Sequence, residues 1–238
     1  MKKILTTLGI LASGVAGADE CTQAYEKQQF QTAYIACLAN AQIGNSKAQF
    51  YLGSMYELGN GVAQDPKQAF SWYLKAANNG YARAQYNVGL AYMQGITVPQ
   101  NATKAVDWYL KAALQGDADA QNNLGSAYDL GKGVAEDKSQ AFSWYLKSAQ
   151  QGLAIAQNNV GTLYYYGKGV AKDNDKAFEW FSKAAKQGNA KAQYNLGILY
   201  KKGDGVTADA QKACDLFQKA SAQGYAQATN QLADCVLD

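Results

Sequence analysis

The chain repeats itself every 36 residues without a slip. Ala48-Gln49-Phe50-Tyr51-Leu52-Gly53 returns as Ala84-Gln85-Tyr86-Asn87-Val88-Gly89. The same block opens again at Ala120, Ala156 and Ala192, and decays at Ala228-Thr229-Asn230-Gln231-Leu232-Ala233. Gly44, Gly80, Gly116, Gly152, Gly188 and Gly224 mark a second phase of the period. Trp72, Trp108, Trp144 and Trp180 mark a third, with Leu216 in the last place. A fixed period in the range of about 20–50 residues means stacked small units, none able to bury its own apolar face alone.

Each unit reads as two helices. Ala48, Leu52, Met55 and Tyr56 recur at helical spacing, and Gly53 on the same face permits a neighbour to approach closely. Gly59-Asn60-Gly61-Val62 breaks the chain. Asp65 then stands as an N-cap before Pro66, and the cap phase repeats at Asn101, Asp137, Asp173 and Asp209. Ala69, Phe70, Trp72, Tyr73, Ala76 and Ala77 form the second helix, which ends at Gly80. The fold class expected is all-α: a right-handed α/α solenoid superhelix of 36-residue helix pairs.

Composition narrows the chemistry. The chain has no histidine, which removes Ser-His-Asp and Cys-His nucleophilic sites, imidazole metal sites and histidine pH switches. Lys2 and Lys3 precede the apolar stretch Ile4–Ala18, and Ala16-Gly17-Ala18 fits a small-x-small cleavage site. Residues 1–18 therefore read as a signal peptide, too short for a membrane span of about 20 apolar residues. Without Lys2 and Lys3 the chain keeps 20 basic and 19 acidic side chains, a balance that argues against nucleic acid and against a polybasic membrane surface. Export places Cys21, Cys37, Cys214 and Cys235 in an oxidising compartment, and no C-x-x-C pair signals zinc or a thioredoxin-like site.

The motif A-x-x-x-L-G-x-x-Y, then G-x-G-V-x-x-D, then K-A-x-x-W-Y-x-K-A-A-x-x-G resembles the Sel1-like repeat, a relative of the tetratricopeptide repeat. One copy carries it as Ala120 to Gly125, Tyr128, Gly131-Lys132-Gly133-Val134, Asp137, Ala141 and Trp144-Tyr145. The resemblance covers about residues 44–238. It gives a capping helix pair at 19–43, five repeats over 44–223 and a C-terminal capping helix at 224–238. One copy departs: Thr97 replaces the second loop glycine and Pro99 follows, so this loop is expected to differ locally.

The G-x-G loops lie between helices rather than in a strand–turn–helix unit, so they read as structural and not as phosphate sites. The Trp phase reads as core packing. Lys75, Lys111, Lys147, Lys183 and Lys219 form a row expected to lie over packed aromatics. In a solenoid of about thirteen helices spaced ~8–10 Å apart, crossed cystines would join opposite ends. A disulfide needs Cα atoms within about 7 Å, so Cys21–Cys37 and Cys214–Cys235 are the expected pairs, with free thiols as the alternative.

By analogy with tetratricopeptide units, the concave side of the first helices carries the binding residues. These are Phe50, Arg83, Tyr86, Asn87, Asn122, Asn123, Asn158, Asn159, Tyr194 and Asn195. Lys191 and Tyr165 share that side. The asparagines at Asn87, Asn123, Asn159 and Asn195 either hold a peptide backbone or bond locally within the solenoid. The resemblance implies a monomeric, non-catalytic, protein-binding scaffold in the periplasm of a Gram-negative bacterium, or secreted from it. No cofactor or metal is implied, and no stable membrane anchor after leader removal. It would regulate or inhibit a partner; neutralising a secreted lipase-type effector is one alternative. A second alternative is the β-lactamase-like or penicillin-binding activity described for cysteine-rich relatives. It is weakened because no S-x-x-K stands in a strand–helix setting and only the chain ends carry cysteine.

Overall fold

The computed structural model describes residues 16–235. The expected leader falls outside these residues apart from 16–18, which begin the first helix. Thirteen α-helices follow one another, with no strand among the described residues. They are α1 (Ala16–Glu26), α2 (Phe30–Gln42), α3 (Ser46–Leu58), α4 (Pro66–Asn78), α5 (Ala82–Gln94), α6 (Ala102–Leu114) and α7 (Ala118–Leu130). Then come α8 (Lys138–Gln150), α9 (Ala154–Tyr166), α10 (Asn174–Lys186), α11 (Ala190–Lys202), α12 (Ala210–Ala222) and α13 (Ala226–Gln231). The C-terminal cap is shorter than a full helix: α13 ends at Gln231 and a 3₁₀ turn, Leu232–Cys235, completes it. The chain divides into two compact units between Ala91 and Tyr92, within α5.

Within each unit, consecutive helices pack as antiparallel pairs of the α/α solenoid class, because their connections are short. The second helices begin where the sequence places them. Asp65, Asn101, Asp137, Asp173 and Asp209 are N-caps whose side chains accept from backbone N–H groups in the first turn. Asn45, Asp117 and Asn189 cap first helices in the same way.

The core shifts by one residue from the expected tryptophans. Trp144 is buried, but Trp72, Trp108 and Trp180 are half-buried. The residue that follows each of them goes deeper: Tyr73, Tyr109, Tyr145 and Phe181, with Phe217 in the last copy. The reason is angular. Tyr73 stands four residues after Ala69 and three before Ala76, in the middle of the buried stripe, whereas Trp72 lies about 100° round the helix. Burying each such ring is worth about 1.5–3 kcal/mol. The rings sit flat on first-helix glycines: a Cβ built on Gly53 would meet the Tyr73 ring at 2.6 Å, and one on Gly161 the Phe181 ring at 2.7 Å. Burial pushes the Tyr145 phenol up to about 12. Each tryptophan carries the lysine three residues on. Lys75 lies 3.8 Å from the Trp72 ring centre, Lys111 4.0 Å from Trp108, Lys147 4.0 Å from Trp144 and Lys183 4.3 Å from Trp180.

Buried glutamines tie helices together. Gln49, Gln121, Gln157 and Gln193 each donate Nε2 to a carbonyl eight residues earlier, Ala41, Ala113, Ala149 and Ala185. Each also accepts, on Oε1, an amide proton from thirty residues later: Asn79, Gln151, Gln187 and Gln223 at 2.8–2.9 Å. The second loop glycine is needed for space. A Cβ on Gly61 would stand 2.5 Å from the Phe30 carbonyl oxygen, and Gly133, Gly169 and Gly205 crowd Ala102, Lys138 and Asn174 likewise. Thr97 holds the corresponding place at φ +64°, its hydroxyl turned back onto the Ile96 carbonyl at 2.5 Å. The departure read from sequence is therefore a threonine in the left-handed region.

The ends are stapled as expected. Cys21–Cys37 joins α1 to α2, and Cys214–Cys235 joins α12 to the terminal turn, with Cα separations of 4.7 and 5.7 Å. No described helix is long and apolar enough to cross a membrane.

Candidate functional site

The residues expected to bind fall into two groups, one in each unit. Phe50, Arg83, Tyr86 and Asn87 belong to the first. Phe50 is half-buried among aromatic rings, 5.7 Å from Tyr51, 5.6 Å from Tyr73 and 5.1 Å from Tyr81. Its face is largely used in packing. Arg83 is exposed, with its guanidinium 4.9 Å over the half-buried Tyr86. Asn87 is half-buried.

The second unit sets α7, α9 and α11 side by side, and asparagines run across them. Asn159 donates to Asn122 at 3.1 Å, and Asn195 donates to Asn158 at 2.9 Å. Asn122 also reaches Asn123 at 3.4 Å. The local reading is thus the one observed for Asn123, Asn159 and Asn195. It corrects the expectation for Asn158, which is 2% exposed and so does not lie open on a surface. Asn158 is buried because it faces the neighbouring first helix, where an amide satisfies an amide. Asn122, Asn123, Asn159 and Asn195 remain half-buried.

Beyond the asparagines, α9 and α11 open a cavity of about 410 Å³. Tyr165 and Tyr166 from α9, and Lys191, Tyr194, Ile198 and Lys202 from α11, supply most of its wall. Tyr194 and Asn195, both named from sequence, line it. Tyr194 rests on Phe217 at 5.8 Å and on Tyr225 at 5.3 Å, which fixes its ring. The Tyr165 hydroxyl donates to Asp204 Oδ2 at 3.0 Å and accepts from Lys202 Nζ at 3.2 Å. That hydroxyl raises the Lys202 ammonium above the ordinary lysine value. Tyr166 is 63% exposed and Ile155, earlier on α9, 54% exposed.

Charge changes sign across the three helices. Asp119 and Asp129 stand on α7, α9 has no charged residue, and α11 carries Lys191, Lys201 and Lys202. Asp129 is already paired with Lys138 at 3.0 Å, and this ion pair raises the lysine's pKa. Tyr166, Ile198 and Lys202 escape the sequence reading. The signal was present for two of them: the last residue of each first helix runs Leu58, Gln94, Leu130, Tyr166, Lys202, the only trait in common being freedom to vary. No group of three or more potential metal ligands occurs among the described residues.

The Sel1 repeat pattern matches residues 46–81, 82–117, 118–153, 154–189 and 190–225, consecutive copies in the register of the helix pairs. The chain belongs to the Sel1 repeat family. A Sel1 repeat protein from Oxalobacter formigenes is similar at 32% identity and a TM-score of 0.85, over 91% of this chain and 86% of that one. A protective antigen of uropathogenic Escherichia coli strains, c5321, with the same repeat fold, is 32% identical at a TM-score of 0.84. That match covers 93% of this chain and 48% of the antigen. The chitin synthase regulator SKT5 of Saccharomyces cerevisiae is 40% identical over 72 residues, 30% of this chain and only 10% of the yeast protein. The helix pairs here are a Sel1 repeat scaffold, an architecture that suggests protein–protein interaction.

Proposed function

We propose that this Sel1 protein is an exported, non-catalytic scaffold that binds another protein through α7, α9 and α11, and so regulates or inhibits it. The observation that carries this is the α9–α11 cavity and its rim. Tyr166 in the cavity wall, and Ile155 elsewhere on α9, spend large apolar surface on solvent at positions that repeat packing does not require. The aromatic wall suits an interface, where tyrosine anchors contribute most. Export is supported by the basic-then-apolar start of the chain and by two disulfides.

The test is capture of partners on the immobilised protein from periplasmic and culture fluid, repeated with Ile155→Asp/Tyr166→Asp. A stoichiometric partner that the double variant loses supports the reading. Equal capture by the variant removes the binding role from this face, and no partner in either fluid overturns the scaffold reading.

A further inference from the structure

We infer that the α9–α11 cavity is an anionic-residue subsite: it takes an acidic side chain, flanked by apolar ones, from an extended segment of the partner protein. This rests on the protein-binding reading above and gives it a chemistry. The cavity wall contributes two cations, Lys191 and Lys202, and no carboxylate. The remaining wall is tyrosine, phenylalanine, isoleucine, leucine and two small polar side chains. A volume of about 410 Å³ lies in the lower part of the range of ligand pockets, about 300–1,000 Å³, and admits a short piece of chain rather than a helix.

The two lysines are placed differently. Lys202 is held at the rim by the Tyr165 hydroxyl, whose own proton goes to Asp204. Asp204 lies outside the cavity lining but keeps its negative charge near Lys202, which leaves Lys191 as the wall's uncompensated cation. Lys191 makes no ion pair among the described residues and is exposed. Lys168 and Lys172 add positive charge nearby, 5.6 Å from the Tyr166 ring centre and 5.8 Å from that of Tyr165. Across the same face, the α7 carboxylate Asp129 is neutralised by Lys138. Positive side chains thus outnumber negative ones around the cavity, while charges over the whole chain nearly balance. The two lysines stand at opposite ends of α11, about 16 Å apart along the helix, and each in an apolar wall suits a carboxylate beside apolar groups. An extended polyanion or a lipid surface asks for a broad basic face instead.

The experiment is fluorescence anisotropy with the purified protein and two labelled heptapeptides, Gly-Glu-Phe-Glu-Leu-Glu-Gly and its twin with glutamine for every glutamate. The acidic peptide is expected to bind roughly tenfold tighter than the twin at about 50 mM salt, with the ratio shrinking toward one at about 500 mM. Lys191→Gln/Lys202→Gln is expected to erase the preference, and Lys75→Gln/Lys183→Gln on second helices to leave it. Equal affinity for the twins, no binding of the acidic peptide, or a preference that survives Lys191→Gln/Lys202→Gln overturns the inference. Binding to phosphatidylglycerol vesicles that the acidic peptide fails to displace also overturns it. Partner capture that persists in the lysine variant sinks this subsite alone, whereas the scaffold reading falls only with capture itself.

Discussion

Gln151 donates one amide group to two acceptors, Gln121 Oε1 in its own repeat at 2.8 Å and the Gly116 carbonyl at the end of the preceding repeat at 2.9 Å. Gln121, buried to 5% exposure, meanwhile donates to the Ala113 carbonyl at 3.1 Å. One side chain thus joins a helix end, a loop and the next helix. Gln187 repeats the arrangement on Gly152 and Gln157.

Gln121→Leu strips both ends of this link and leaves the Ala113 carbonyl with backbone donors such as the Gly116 N–H, at 3.1 Å. The expected loss is about 2 kcal/mol. Gln151→Leu is expected to cost about half as much, since Gln151 is exposed and water replaces the bond. Urea unfolding of the two variants at neutral pH checks the order.

The fold was largely legible in the sequence because packing forces the period. Alanines, glycines and caps must recur wherever one helix pair meets the next, so Asp65 to Asp209 announce every second helix. The exchange of Trp for the following Tyr or Phe as the deepest residue was harder to read, because adjacent aromatics share a phase and only the 100° rotation separates them. The glutamine links were visible as repetition but not as bonds. Their partners lie thirty residues away on a different helix, a relation that sequence spacing does not reveal. At the candidate site, Tyr194 and Asn195 came from the analogy, while Tyr166 and Lys202 did not. Those two stand at a position that varies freely between copies, and such variation marks the position without saying what it binds.

Gly161→Ala would drive a methyl group to 2.7 Å from the Phe181 ring. Overpacking of this kind is expected to cost about 1–3 kcal/mol. Combining it with Phe181→Leu, which vacates the space, should cost less than the sum of the two single changes. A thermal-unfolding double-mutant cycle gives the coupling directly.

Thr97→Gly is expected to raise stability by about 1 kcal/mol, because Thr97 sits at φ +64° where a β-branched side chain is strained. The gain should appear as a higher urea midpoint with an unchanged slope. A loss of stability would mean that the hydroxyl's bond to the Ile96 carbonyl outweighs the strain.

Cys214→Ala/Cys235→Ala opens a loop of 21 residues in sequence separation at the C-terminal end. The expected cost is about 3 kcal/mol, concentrated locally because solenoid units report mainly to their neighbours. Amide exchange should speed up in α12 and α13 and stay unchanged in α7. Uniform acceleration along the second unit would show that the staple holds the whole unit rather than its end.

The central claim is that the face built by α7, α9 and α11 meets a protein partner. A photo-crosslinking amino acid placed at Tyr166, and separately at exposed Glu179 on α10, tests it in the intact cell. A discrete crosslinked adduct is expected from position 166 and none from position 179. An adduct from 179 with none from 166 would contradict it.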